Sequence, residues 1–185
     1  MLQGELLGDL WEHRPLHPPI AQAEGSDVPF HQIHHPLMVV MTAVCDLEQD
    51  FRVRFSLEGS SAPHKREGVL DSDPHLLTHV LLCDAFEEGQ IRQQITGTDI
   101  WKRVRQNQDE RYHHLSSGPL RDMSGDNLAD LYMDFKKATT IPTELLYDGL
   151  SMHKVQRLAV VLPVYVHDLM HRFYSFLSRV GVPTS

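Results

Sequence analysis

Thiols are scarce in this chain: two cysteines, Cys45 and Cys83, among 185 residues exclude a fold built on a disulfide framework. Long apolar runs are missing too. The most apolar stretches, 36–44 and 159–166, fall short of the roughly 20 residues a bilayer-crossing helix needs, which excludes a membrane span. Met1-Leu2-Gln3-Gly4-Glu5 lacks the basic start of a signal peptide, and the expected location is the cytoplasm. A basic excess is absent as well: Lys and Arg number 17 against 25 Asp and Glu, for a net charge of -8 and a pI near 5.9. Nucleic-acid binding by bulk charge is thereby excluded, and any such contact must be a local patch. No Walker loop, Gly-x-Gly-x-x-Gly, Gly-x-Ser-x-Gly or Cys-x-x-Cys occurs, so kinases, dinucleotide enzymes, serine hydrolases and zinc ribbons lose their usual warrant, and no cofactor is expected.

What the chain does have is a globular composition, 41% hydrophobic and 23% charged with a mean hydropathy of -0.31, and a length that suits a single domain over 1–185. Histidine is abundant. Protonating all 13 histidines carries the formal charge from -8 to +5, so the surface potential should be acid-sensitive. Residues 4–11 read as a first strand and 13–36, crowded with Pro, His and Gly, as a long loop. The nearly unbroken apolar segment 37–44 suits a central strand buried on both faces. Residues 52–57 alternate polar and apolar like an edge strand, 59–74 reads as a polar loop, and 79–84 is a second buried strand. The shared endings Val44-Cys45-Asp46 and Leu82-Cys83-Asp84 predict that the two buried strands lie side by side and that both thiols are buried and reduced.

Residues 87–108 read as one or two short helices, with Thr98 or Asp99 as a cap. Residues 111–115 and 131–135 read as strands that pair across a turn region, Thr143 caps a short helix that Gly149 stops, and 155–162 is another strand. Over 163–180 the apolar residues recur at spacings of 3 and 4, with Pro163 at the start and Gly181 past the end, which predicts a C-terminal helix. The fold class is therefore α+β: a strongly bent, mostly antiparallel sheet or small SH3-like β-barrel with inserted helices and a C-terminal helix.

Three places carry a resemblance. Thr42-Ala43-Val44-Cys45-Asp46-Leu47, Arg111-Tyr112-His113-His114-Leu115 and Arg179-Val180-Gly181-Val182-Pro183 resemble a set of uncharacterised bacterial proteins with a Ser/Thr-x-x-Cys-Asp-Leu motif and an Arg-Val-Gly-Leu/Val-Pro tail. More distantly, Gly8-Asp9-Leu10-Trp11, His35-Pro36 and Thr42 are similar to the PemK/MazF-type toxin ribonucleases. That resemblance implies an SH3-like barrel that dimerises, belongs to a toxin-antitoxin pair and cleaves single-stranded RNA without metal. On this reading Arg111 and His113 bind or protonate phosphate oxygens, and Asp46 or Thr42 positions the attacking 2'-hydroxyl.

The residues themselves offer further candidates. Cys45 is a candidate nucleophile, although the adjacent Asp46 favours its neutral thiol; the plainer role is a small core residue before a turn-forming Asp. Arg92, Lys102, Arg103, Arg105 and Arg111 outnumber Asp99, Asp109 and Glu110 in the segment 92–114. With Trp101 and Tyr112 interleaved, that pattern meets the needs of single-stranded RNA, charge for phosphates and rings for bases; the plainer reading is a solvated helix face. His167 and His171 stand at i and i+4, the zinc-chelating geometry of metalloprotease helices, but no clear third ligand follows. Two function classes remain: a toxin-like endoribonuclease, and a non-catalytic interaction module that binds a protein partner or its own copy through the C-terminal helix. A metal-dependent hydrolase on His167 and His171 is a third. The nuclease requires Asp46, Arg111 and His113 to converge in one pocket, whereas the module requires an exposed apolar patch.

Overall fold

A computed structural model of the chain describes residues 1–15, 30–56, 64–66, 73–118, 120–122 and 129–179. In chain order the elements are β1 (Glu5–Pro15), β2 (Phe30–Val40), α1 (Val44–Arg54), β3 (Phe55–Ser56), β4 (His64–Lys65), β5 (His79–Glu87), α2 (Glu88–Arg92), α3 (Thr98–Arg105), β6 (Tyr112–Leu115), β7 (Leu120–Asp122), β8 (Leu131–Pro142), α4 (Thr143–Ser151), β9 (Gln156–Val161) and α5 (Pro163–Ser178). Seven strands form one antiparallel sheet in the order β6-β8-β5-β2-β1-β9-β7, and β3 pairs with β4 separately. The α+β class is borne out. The sheet is open, with β6 and β7 at its edges, and does not close into the barrel alternative. No helix among the described residues is long and apolar enough to cross a membrane.

Strand alternation splits the core between two faces. Val39, Cys83, Met133, Phe135 and Ala159 turn to one face, where Leu169, Met170 and Phe173 of α5 cover them. Met38, Val40, Val80, Leu82 and Ile141 turn to the other, under Leu47 of α1 and Leu146 of α4. Beside them Ile91, Ile95 and Val104 of the α2–α3 segment pack on Tyr112 and Tyr132. The expected neighbours do pair: Val39 stands opposite Cys83, and β6 pairs with the start of β8.

Several expectations change. The central strand stops at Val40, and Val44 begins a helix that runs through Arg54, so of the strand expected over 52–57 only Phe55 and Ser56 are extended, as β3. A hydrophobic pattern misses this helix because its buried face is partly ionic. Asp50, fully buried, accepts hydrogen bonds from Arg54 Nε and from Leu77 N, both at 2.8 Å. Cys45 is consequently exposed rather than buried, while Cys83 is buried, and both are free. The region 13–36 is not wholly loop, since β1 and β2 pair out to Pro15 and Phe30; long-range pairing there overrides the local Pro and His content, and 16–29 lies outside the described residues. Within 59–74, His64 and Lys65 pair with Ser56 and Phe55, and most of the rest lies outside the described residues.

Gly97 caps α3 and Pro142 caps α4, so Thr98 and Thr143 are first-turn residues. Gly149 lies inside α4 rather than ending it. A Cβ there would come within 2.7 Å of Val155 Cγ2, so the glycine serves the close approach of the chain into β9. The 163–180 helix is present as α5, with Pro163 in its first turn; of the tail motif only Arg179 is among the described residues.

Candidate functional site

The residues expected to act together fall into two groups. Thr42, Cys45 and Asp46 sit where β2 passes into α1. Thr42 Oγ1 accepts a hydrogen bond from Leu81 N at 2.7 Å and so ties the turn to β5. Cys45 Sγ donates to Asp46 Oδ1 at 3.4 Å, and both side chains are exposed on the first turn of the helix. Arg111 and His113 sit instead at β6, an edge strand. Arg111 Nε and Nη2 donate to the fully buried Asp134 carboxylate at 2.7 and 2.5 Å, and its guanidinium lies 4.8 Å from the centre of the Tyr112 ring. His113 is 2% exposed. Burial and then the nearby Arg172 lower its pKa to about 3, so it stays neutral near pH 7 and does not serve as the imidazolium acid that would protonate a phosphate oxygen. Among the described residues no hydrogen bond or ion pair joins Asp46 to Arg111 or His113. Spacing along the chain could not reveal this, because it does not say which face of a strand a side chain takes or which buried acid receives an arginine.

The candidate nucleic-acid residues divide likewise. Trp101, Lys102 and Arg105 of α3 line a cavity of about 420 Å³ together with His114, and no carboxylate lines it. Arg92 stands over the Trp101 ring at 5.6 Å, and Trp101 packs on Tyr132. Arg103 turns away and, with Arg111, Arg179, Asp109 and Glu110, lines a separate cavity of about 460 Å³. Opposite charges are interspersed there: Arg103 approaches Asp109 at 3.9 Å, and Arg179 pairs with Glu110. Tyr112 is buried under α3. His167 and His171 are exposed on α5, and no cluster of three His, Cys, Asp or Glu side chains suited to a metal occurs among the described residues.

Two features lay beyond the reach of the sequence reading. The first is a chain of polar contacts across the middle of the sheet. Glu12 accepts from Arg14 Nε and Nη2 at 2.7 and 2.8 Å. His35, 6% exposed, places Nδ1 2.8 Å from Asp84 Oδ1 and Nε2 3.3 Å from Glu12 Oε2. The bond to Asp84 raises the His35 pKa against the opposing effect of burial. Burial pushes Glu12 up, but the hydrogen bonds from Arg14 and His35 outweigh it and hold the carboxyl below its ordinary range. Both ring nitrogens are thus engaged, which suits a fixed imidazolium better than a general base. The repeated Cys-Asp pair gave no usable signal, because Asp46 lies on the first turn of α1 whereas Asp84 lies inside β5.

The second feature is an apolar groove of about 530 Å³ between the chain start, the head of α1, β9 and the first half of α5. Leu2, Val44, Val161, Val166, Met170 and Tyr174 line it, and Val164 beside it on α5 is 71% exposed. Its residues come from segments far apart in sequence, so no local pattern announces it. No protein-family model matches this chain, and no curated protein matches it.

Proposed function

We propose that the chain is a non-catalytic protein-interaction module that binds its partner in the groove beside α5. One observation carries the reading: a mostly apolar groove whose lining includes Val44 and Tyr174, 41% and 56% exposed, with Val164, 71% exposed, beside it on α5. Contiguous exposed apolar surface is a mark of protein interaction sites. The outward face of α5 also carries little charge, with one aspartate and one arginine between Pro163 and Ser178. Supporting this reading, Arg111 is held by Asp134 and His113 is buried and neutral, so these two of the expected nuclease groups lack the freedom that phosphate chemistry needs.

The test is a photo-crosslinking amino acid placed at Tyr174 in the full chain and, as a control, at the exposed Lys154. The expected result is one dominant adduct from Tyr174 alone, with labelled single-stranded RNA left intact by the chelator-treated protein. RNA cleavage by the wild type, or identical adducts from both positions, overturns the reading.

A second reading is favoured by one specific observation, the acid-free lining of the cavity at Trp101, Lys102, Arg105 and His114. On this reading α3 contacts single-stranded RNA, its cations meeting phosphates beside an aromatic wall. Lys102→Ala combined with Arg105→Ala is then expected to weaken RNA binding and to flatten its salt dependence, by about one unit of slope for each phosphate that is no longer neutralised. A salt slope equal to that of the wild type ends this reading.

A further inference from the structure

The outer half of the β1–β2 ribbon leaves the plane of the sheet. β2 pairs with β5 only at 38–40, and β1 pairs with β9 only at 5–8. Among the described residues, 10–15 and 30–35 therefore pair with each other and with no other strand. Strand geometry shows where this half goes. His31, opposite Arg14, is nine residues before Val40, which at about 3.3 Å per residue is roughly 30 Å along the strand. Val40 is level with Leu82, and Leu82 with Thr139. A straight ribbon would carry Arg14 that far past Thr139, yet Arg14 Nη2 donates to Thr139 Oγ1 at 3.0 Å. The ribbon must double back over the face of β5 and β8.

The bend has a local cause. Asp9 takes a left-handed conformation, φ 58, at the one position where the β1–β2 ladder skips a pair, opposite Pro36. Proline has no N–H to give the ladder, and the ribbon turns where that bond is missing. Beyond the bend, what faces the sheet is mostly polar. Among the described residues Leu10 is the ribbon's one member of the apolar clusters. The remaining ties are Arg14 to Thr139, His35 to Asp84, and Glu12 bridging Arg14 and His35. On the ribbon's outer side Trp11 stacks on His34 with ring centres 4.2 Å apart, and Trp11 is 47% exposed.

We propose that residues 10–15 and 30–35 form a hinged strap, clasped over the face of β5 and β8 by Glu12, His35 and Asp84, that swings about Asp9 and Pro36 when the clasp is broken. A two-stranded ribbon released from its sheet is marginally stable in water, so opening the strap also frays its own ladder. The clasp is ionic, and proton uptake or release breaks it. The charged groups around His35 are Glu12 and Arg14 from β1 and Asp84 from β5; Thr139 of β8 is neutral, and His34 and Asp9 form their own pair at 3.4 Å near the hinge. His35, raised in the fold, contributes fully below the ordinary imidazole range, and its contribution is lost as pH rises through the raised value. Glu12, lowered in the fold, contributes above the ordinary carboxyl range, and its contribution is lost as pH falls through the lowered value. The strap is closed between those two limits and opens beyond either.

Hydrogen exchange of the full chain at pH 7 tests this, with the α5 amides near Leu169 and Phe173 as the internal standard. In His35→Gln, protection of amides 10–14 and 31–35 is expected to fall about tenfold or more while α5 stays protected, as for a unit that opens separately from the global fold. Arg14→Ala acts at the half-exposed tip of the strap, where folding is least at risk, and is expected to give the same selective loss at smaller amplitude. In the wild type, protection factors corrected for intrinsic exchange are expected to fall selectively in the strap as pH rises past the His35 transition. Unchanged strap protection in Arg14→Ala, or loss shared equally with α5, shows that the ribbon is an integral part of the core and overturns the proposal.

Discussion

Replacing Arg111 with alanine is expected to destabilise the protein by about 3 kcal/mol, at the lower end of what breaking a buried ion pair costs. The cost resides in Asp134, whose side chain is fully buried and accepts both guanidinium bonds. Without Arg111 that carboxylate keeps a bond from Lys136 N but no neutralising charge. The lower end is appropriate because the guanidinium is 37% exposed and part of its interaction is screened by water. Urea denaturation of Arg111→Ala measures the loss, and Asp134→Asn added to it is expected to recover a good part, since the double variant buries no charge. If Arg111→Ala is as stable as the wild type, Asp134 does not need its partner, and a role for Arg111 in binding phosphate becomes worth testing. The result therefore separates structure from chemistry at the residue that resemblance made most interesting.

Phe173→Ala is expected to cost about 3–5 kcal/mol, the usual range for emptying a buried phenylalanine site. Phe173 is 1% exposed and meets Phe135 edge-on at 5.4 Å, so it joins α5 to β8 at the centre of its face of the sheet. Among the described residues of α5 only Leu169 and Met170 are buried with it. A lower urea midpoint with an unchanged denaturant slope would show that the loss lies in native packing rather than in the unfolded chain. A cost below about 1 kcal/mol, no more than many surface changes, would mean that α5 is held by something other than this packing. Because Met170 also lines the groove, loosening α5 should weaken crosslinking from Tyr174 as well.

The features that were legible in the sequence share one property: they are local patterns of apolar burial. The 3-and-4 spacing of Leu169, Met170 and Phe173 specifies α5, and the unbroken apolar runs specify the buried parts of β2 and β5, because each pattern reports one side of one element within a dozen residues. β2 and β5 do adjoin, but not through the endings that suggested it, since Val44-Cys45-Asp46 lies on α1 and Cys83-Asp84 lies inside β5. The failures have the opposite character. The α1 helix buries Asp50 and Arg54 as partners, and polar burial looks like exposure to any reading based on hydrophobicity. The β1–β2 ribbon extends through Pro and His because its ladder lies across the hairpin, not along the chain.

The candidate site follows the same division. Composition determined by itself that the chain has no disulfide framework, no apolar run of membrane-spanning length and no bulk attraction for nucleic acid, and periodicity determined the α+β class. Only the tertiary structure decided that Arg111 meets Asp134, that His113 faces inward, that Trp101 and Arg105 share a cavity while Arg103 leaves it, and that Glu12, His35 and Asp84 meet although 23 and 49 positions separate the bonded pairs. The reason is physical. Apolar burial requires only that a residue be removed from water, which a local pattern can announce, whereas a hydrogen bond or ion pair requires one particular partner at about 3 Å. Which partner arrives is set by strand register and by the bend at Asp9.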